Sequence, residues 1–309
     1  MRFPASGVEC SPFLPPLVSF VIAALTTPAG LSGAFLLLPF QMSVLGFVSP
    51  AVSPTNLIYN IVAIPGGVYR YIREKRMVWP LAVATMLGTL PGIFAGAIIR
   101  IRYLPGPREC KLFVGCVLLY LGIRLLYRSS THRRTGEEAL SRAGAGRRRI
   151  SPLPPEAVVK TRSVAWNRIE YTFWSETFSF RPPTLLALSL GVGLVGGIYG
   201  VGGGAIIAPF LVTVLGLPVY TVAGASLFGT LATSVAGVAS FELLGHTSLS
   251  AGWAVRPDWA LGALFGVGGL FGTYVGARLQ RYLPERWIRL LLGILVAGVA
   301  LSYIGQFFL

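Results

Sequence analysis

The chain has 309 residues, of which 54% are hydrophobic and 12% charged, and its mean hydropathy is +0.69. Soluble domains carry roughly 25% charged residues, so about half the usual charge is missing and the composition is that of a membrane protein. The net charge of +15 raises a nucleic-acid partner, but twelve of the 26 Lys and Arg residues lie between Arg124 and Arg181. Most of the others flank apolar runs, where membrane topology and lipid headgroups account for them. No folded recognition module accompanies the basic run, so no nucleic-acid partner is expected.

In chain order, Arg2 is followed by Pro4, Pro12, Pro15 and Pro16 before apolar sequence begins, a poor signal peptide without a clear cleavage site. A full span needs about 20 apolar residues. Stretches at 53–72, 79–101, 219–243 and 259–282 meet that length, and 109–127 and 286–309 are further candidates with charges at their entries. Two longer stretches, 16–46 and 184–216, are broken by Thr26-Thr27-Pro28-Ala29-Gly30-Leu31-Ser32-Gly33 and by Gly196-Gly197-Ile198-Tyr199-Gly200-Val201-Gly202-Gly203-Gly204. The linker between the halves lacks any spanning pattern. Its first part is rich in Arg, Gly and Ala and reads as mobile. The aromatics from Trp166 to Phe180 suit a membrane interface.

A repeat organises the whole. At a shift of 170, Gly30, Gly33, Pro39, Phe40, Gly46, Leu57 and Gly67 meet Gly200, Gly203, Pro209, Phe210, Gly216, Leu227 and Gly237. At a shift of 180, Trp79, Gly88, Gly92 and Gly96 meet Trp259, Gly268, Gly272 and Gly276. Glycines and prolines in register are more than shared apolar bias would arrange. The expected fold is therefore an all-α polytopic membrane protein of two repeated halves, 1–128 and 183–309, joined by a basic cytoplasmic linker at 129–182. Each half holds a broken or re-entrant Gly-rich segment plus about three spans. Single-crossing breaks make the halves parallel; hairpin breaks make them inverted. Inversion gathers Arg70–Arg76, the linker and Arg278–Arg289 on one face, which the positive-inside rule favours, although Arg100, Arg102, Arg108 and Lys111 then fall on the wrong side.

Irregular backbone in lipid is tolerated where protein buries it or where it lines a watery cavity. Broken segments at matching repeat positions point to a transporter's midplane site. Residues after Gly33 and Gly204 would open half-helices whose free N–H groups attract anions. The competing reading is close helix packing by small residues. Beyond each break lies a polar cluster: Thr55, Asn56 and Asn60 in the first half, and Ser226, Thr230, Thr233 and Ser234 in the second. Asn56 and Asn60 share a helical face, as do Ser226 and Thr230, four residues apart. Such neutral donors can hold an oxyanion, or merely bond helix to helix.

Of the eleven Asp and Glu residues only Glu242 looks close to a span, whereas cation transporters and proton pumps usually need intramembrane carboxylates. Glu242 and His246 could couple protons, although both read more readily as facing the aqueous boundary. Cys10, Cys110 and Cys116 form no CxxC pair, and two histidines supply no zincin motif, so neither metal nor cofactor is expected. The GxGxxG at Gly191-Val192-Gly193-Leu194-Val195-Gly196 lacks the soluble βαβ unit and the later acid of a dinucleotide site. Nor does the membrane core offer the Ser/His or paired-Asp constellation of a protease, so no enzyme activity is expected.

The second half resembles the TauE/SafE family of sulfite and organosulfonate exporters. Its Gly200-Val201-Gly202-Gly203-Gly204 is similar to the family's glycine-rich break, followed by Pro209, Gly216, Pro218 and Ala225-Ser226-Leu227. The first half keeps a degraded copy in Gly30-Leu31-Ser32-Gly33, Pro39, Gly46 and Thr55-Asn56-Leu57. The resemblance implies export of a small sulfur-containing anion across the cytoplasmic membrane. The residues expected to hold it are Gly30, Ser32, Gly33, Thr55, Asn56, Asn60, Gly202, Gly203, Gly204, Ser226 and Thr230. The expected partners are that anion and membrane lipids, and a homo-oligomer is compatible with the sequence. No P-loop is present, so an ion or substrate gradient would drive transport. A cation or metal transporter depending on Glu242, and a membrane scaffold acting through the basic linker, are the alternatives.

Overall fold

The computed structural model describes residues 2–3, 6–47, 51–103, 115–116, 119–120, 122–123, 126–127, 157–173, 176–199, 202–245 and 257–308. In the first half α1 (Leu14–Thr26) passes through a 3-10 turn (Thr27–Ala29) to α2 (Ala34–Ser43), α3 (Val52–Arg73) and α4 (Trp79–Tyr103). Three strands follow: β1 (Val159–Val164), β2 (Ile169–Phe173) and β3 (Glu176–Phe180). After the strands come α5 (Pro182–Tyr199), a 3-10 turn (Gly203–Ile206), α6 (Ile207–Thr213), α7 (Val219–Gly245), α8 (Trp259–Gln280) and α9 (Glu285–Phe308). The expected span at 109–127 falls mostly outside the described residues; those described there are helical, and Gly115 and Gly122 lie against Ala300 and Ala297 of α9.

Among the described residues four helical segments are long and apolar enough to cross a membrane: Trp79–Gly96, Val219–Leu243, Trp259–Gln280 and Arg286–Gly305. The polarity of the assembly is turned inside out. Leu17, Val21 and Leu25 of α1 and Val267, Phe271, Val275 and Leu279 of α8 form outward apolar stripes at a spacing of four. Ser32, Gln41, Thr55, Asn56, Asn60 and Ser234 are buried instead. Lipid is as apolar as leucine, so burying apolar side chains gains little there and polar groups must find partners inside the protein. This explains α3, which is 22 residues long but too polar for the four-segment group: it runs through the interior.

Glycines let the helices approach. On α4, Gly88, Gly92 and Gly96 lie on the backbone of α5 from Leu186 to Ile198. On α8, Gly268, Gly272 and Gly276, their counterparts at the shift of 180, lie on α1 from Pro16 to Thr27. Both pairs run parallel, the arrangement of small residues four apart that brings backbones together. Helices α3 and α8 also run parallel, Gly262 facing Ile58 and Gly266 facing Val62. The centre is different. Across the α3–α7 crossing Leu57 meets Gly237, Asn60 meets Ser234, Leu227 meets Gly67 and Tyr71 meets Gly224, so these two run antiparallel.

The strands were not legible as an interface segment. They form an antiparallel sheet in the order β1-β2-β3, with a bulge between Thr161 and Ser163. Ile169, Tyr171, Phe173 and Phe180 turn inward and are buried. The Tyr171 hydroxyl pairs with Thr221 Oγ1 at 3.0 Å, and the Phe173 ring lies 6.3 Å from that of Tyr220 at the start of α7. Burial pushes the Tyr171 phenol up. Val159 N donates to Lys75 O at 3.0 Å, fastening β1 to the α3–α4 turn. Most described aromatics of the linker therefore pack on protein; Trp166 at the β1–β2 turn is the exposed one. The part of the linker expected to be mobile lies outside the described residues.

Candidate functional site

The first break starts where α1 tightens into its 3-10 turn. Gly30 adopts φ +76 and its N–H closes onto Thr27 O, while Leu31 N reaches Thr26 O. This left-handed residue after a helix end is a glycine position. A Cβ on Gly30 would also come within 2.8 Å of Ala223 Cα on α7, so the break is seated against the second half. Ser32 then accepts from Ala34 N at 3.2 Å and donates through a short contact to Asn60 Oδ1. Asn60 Nδ2 donates to Ser234 Oγ at 3.1 Å. Gly33 fits only because it is glycine, since a Cβ there would overlap the Tyr59 hydroxyl.

Contacts along the break give its course. Thr27 O accepts from Tyr71 Oη near the end of α3, Ser32 reaches Asn60 at its middle, and Ala34 O accepts from Asn56 nearer its start. Gln41 Nε2 of α2 donates to Asn56 Oδ1 at 3.2 Å. Thr55 donates to Ala51 O and accepts from Asp258 N at 2.9 Å, tying α3 to the head of α8.

The second break is built from backbone. Gly202 adopts φ +86, and Gly203 and Gly204 open the 3-10 turn that leads into the short α6. Gly203 lies on Gly193 and Gly196 of α5. A Cβ on Gly202 would fall 3.4 Å from Ser234 Oγ and 3.7 Å from Asn60 Nδ2. Beside this point a narrow cavity is lined by Leu57, Ile93, Gly196, Gly202, Thr233 and Phe241, among others. Ser32, Asn60, Ser234 and Gly202 thus converge where α3 crosses α7.

Other expected residues do not join them. Thr230 Oγ1 donates to Ser226 O of its own helix at 2.9 Å. Ser226 is fully buried, beside Leu227 and hence near the Gly67 end of the crossing. Because α3 and α7 are antiparallel, Asn56 and Ser226 lie toward opposite ends of the bundle. Residues matched by the repeat therefore do not face one another, and the partner of Asn60 is Ser234. Gln41 and Tyr59 were not legible as site residues; both are buried, and a polar residue in the apolar α2 was the available signal for Gln41. Glu242 is half-buried in the last turn of α7, and His246 lies outside the described residues.

Glu242 is not alone near a span. Asp258 caps α8, accepting from Leu261 N at 3.0 Å and from Ser6 N and Oγ at 3.0 and 2.8 Å. Glu74, just beyond α3, lies 2.6 Å from Arg70 Nη2 and 2.5 Å from Arg76 Nη2. Arg76 is 2% exposed and donates to Gln280 Oε1 and, at 2.8 Å, to Ala277 O. Gln280 Nε2 in turn donates to Pro28 O at 2.8 Å and Val219 O at 3.4 Å. The basic segment after α3, expected to serve topology, thus holds a buried network joining α3, α8, the first break and the head of α7. No group of three or more metal-ligating side chains occurs among the described residues.

The pattern that defines the sulfite exporter TauE/SafE family matches residues 16–303. A Bacillus subtilis (strain 168) protein named "Probable membrane transporter protein YunE" is 20% identical over 292 residues, covering 90% of this chain and 92% of its own. No solved structure matches significantly. A match across both breaks and nearly every described helix, on a bundle with lipid-facing stripes and a polar interior, makes the chain a multi-pass membrane protein and a member of the TauE/SafE family of membrane transporters.

Proposed function

We propose that the chain exports a small sulfur-containing anion, sulfite or an organosulfonate such as sulfoacetate, across the cytoplasmic membrane by alternating access. The observation that carries this reading is the convergence of Ser32, Asn60, Ser234 and the Gly202 backbone at the α3–α7 crossing. These are neutral donors and acceptors beside two helix breaks. They can exchange their mutual bonds for bonds to an oxyanion without leaving a fixed charge in the membrane when it departs. Asn56 with Gln41 and Thr55 with Asp258 support the first break from one side.

The halves, 1–128 and 183–309 around the 129–182 linker, are inverted repeats. In support, α1, α3 and α8 run one way and α4, α5 and α7 the other, so α1, α3 and α4 each oppose their counterparts α5, α7 and α8. The descent of residues 27–34 from Tyr71 to Asn56 supports a re-entrant hairpin. The ends carrying Arg70–Arg76, Arg181, Arg278 and Arg286 face the cytoplasm by the positive-inside rule.

The test is thermal stability of the detergent-purified chain against sulfite, sulfoacetate, taurine, sulfate, acetate and chloride at fixed ionic strength. Selective binding to the folded state raises stability. A shift for sulfite or a sulfonate that Asn60→Ala removes is the expected result. No shift for any anion, with stability depending on Glu242 and added cations, would transfer the chain to cation transport.

A further inference from the structure

From the Arg70–Glu74–Arg76 cluster we infer a second oxyanion site, at the basic end of the bundle, where the substrate replaces the Glu74 carboxylate between the two guanidinium groups. The inference rests on the anion-transport reading and adds to it the place where the anion is first captured. The Glu74 carboxylate spans two arginines, one oxygen to each, at 2.6 and 2.5 Å. Those distances are those of charge-assisted hydrogen bonds, one guanidinium to each carboxylate oxygen. The Nε atoms of Arg70 and Arg76 are buried and lack a described partner. Arg70 also donates to Tyr274 Oη at 3.2 Å and Arg76 to Gln280 and Ala277 O, so Nε is the donor that each guanidinium still has to offer an incoming oxyanion. Arginine presents a planar fork suited to bidentate oxyanion contacts. A sulfite or sulfonate group offers three oxygens, one more than a carboxylate, and a dianion balances both positive charges where Glu74 balances one.

Access and consequence agree with this assignment. The side chains of Arg70 and Glu74 are 16% and 11% exposed, whereas that of Arg76 is 3% exposed, so the cluster closes over an interior group while its outer members touch the surface. From Arg76 the network passes through Gln280 to Pro28 O in the first break and to Val219 O at the head of α7. An anion drawing Arg76 away from Gln280 would loosen both contacts. Arrival of the substrate and release of the first break are thereby linked through one side chain.

The shared ligand chemistry is an oxygen acid, free in solution or as a lipid headgroup. The experiment measures sulfite affinity by thermal shift for wild type, Glu74→Gln, Arg70→Gln and Asn60→Ala in neutral detergent, with phosphatidylglycerol as a separate titrant. Removing the competing carboxylate should tighten sulfite binding about fivefold, the upper scale of one surface-proximal ion pair. Unliganded Glu74→Gln should melt below wild type, and saturating sulfite should close that gap. Arg70→Gln, at the more exposed position, should weaken binding about tenfold and keeps the test decisive if Glu74→Gln does not fold. Sulfite affinity unchanged in Glu74→Gln and Arg70→Gln but lost in Asn60→Ala overturns this site and leaves the central one standing. A shift by phosphatidylglycerol that depends on Arg70 and that sulfite does not reproduce assigns the arginines to a headgroup and overturns the substrate reading. No response to sulfite or to sulfoacetate in any variant overturns both proposals.

Discussion

The two helix breaks occupy matching places in the chain and are held by opposite means. The first is stitched by side chains: Ser32 caps Ala34, Asn56 takes Ala34 O, Tyr71 takes Thr27 O and Gln280 takes Pro28 O. The second is pressed into place by backbone, with Gly203 on Gly193 and Gly196, and Gly193 and Gly197 on Thr89 and Ile93. Irregular backbone within a membrane needs internal partners or internal burial, and here each solution occurs once. On the proposed function, the stitched break would exchange partners with a ligand, and the pressed break would give shape and supply a wall. Site chemistry should therefore be concentrated in the first break and steric sensitivity in the second.

Substitutions can break that contrast. The largest effect is expected for Gly196→Ala, whose new methyl would overlap Gly203 Cα. Backbone cannot rotate away, so a loss of about 3 kcal/mol or more is expected in detergent unfolding; a near-neutral result would mean the second break is slack. Asn60→Ala comes next. It leaves Ser32 and Ser234 without their shared partner, with an expected loss of about 1–3 kcal/mol. Anion transport by reconstituted vesicles should fall about tenfold or more, the scale set by a site's unpaired polar groups, and unchanged transport would move the chemistry elsewhere. Gly202→Ala places a side chain at φ +86, where its Cβ meets only ordinary contacts of 3.4 Å and beyond. The cost should be the left-handed strain alone, about 1–2 kcal/mol. Tyr171→Phe loses one hydrogen bond to Thr221, about 1 kcal/mol, and should leave transport at the wild-type rate; lowered transport would bring the sheet into the mechanism.

Much of the helical framework could be read from sequence because lipid imposes it. Apolar runs of about 20 residues have few other uses, and the helices at Trp79, Val219, Trp259 and Glu285 begin close to the expected positions. The breaks were legible from glycine and proline clusters, and Asn60 from being polar where lipid forbids it. Which residues meet across the bundle was not legible. Repeat alignment pairs Asn60 with Thr230, but the antiparallel crossing brings up Ser234 while Thr230 turns back on its own helix. Contact in an antiparallel pair follows a sum of residue numbers, and a repeat reports a difference. The sheet does leave a mark in the sequence: Ile169, Tyr171 and Phe173 alternate with Glu170 and Thr172, the period of a strand buried on one face. Glu74 and Asp258 carry no such signal, because at helix ends sequence alone does not distinguish a solvated charge from a buried tie.

The glycine-lined pairs of helices bear on what can move. Helix α4 lies against α5, and α8 lies against both α1 and α3, with backbone in near contact. Each closely packed group draws members from both ends of the chain. The close packing of helices therefore cuts across the two halves read from the sequence. In the alternating-access cycle proposed above, α1, α3 and α8 would move as one piece against α4, α5 and α7. Spectroscopic labels on α3 and α7 would change separation through the cycle, whereas labels on α4 and α5 would hold theirs.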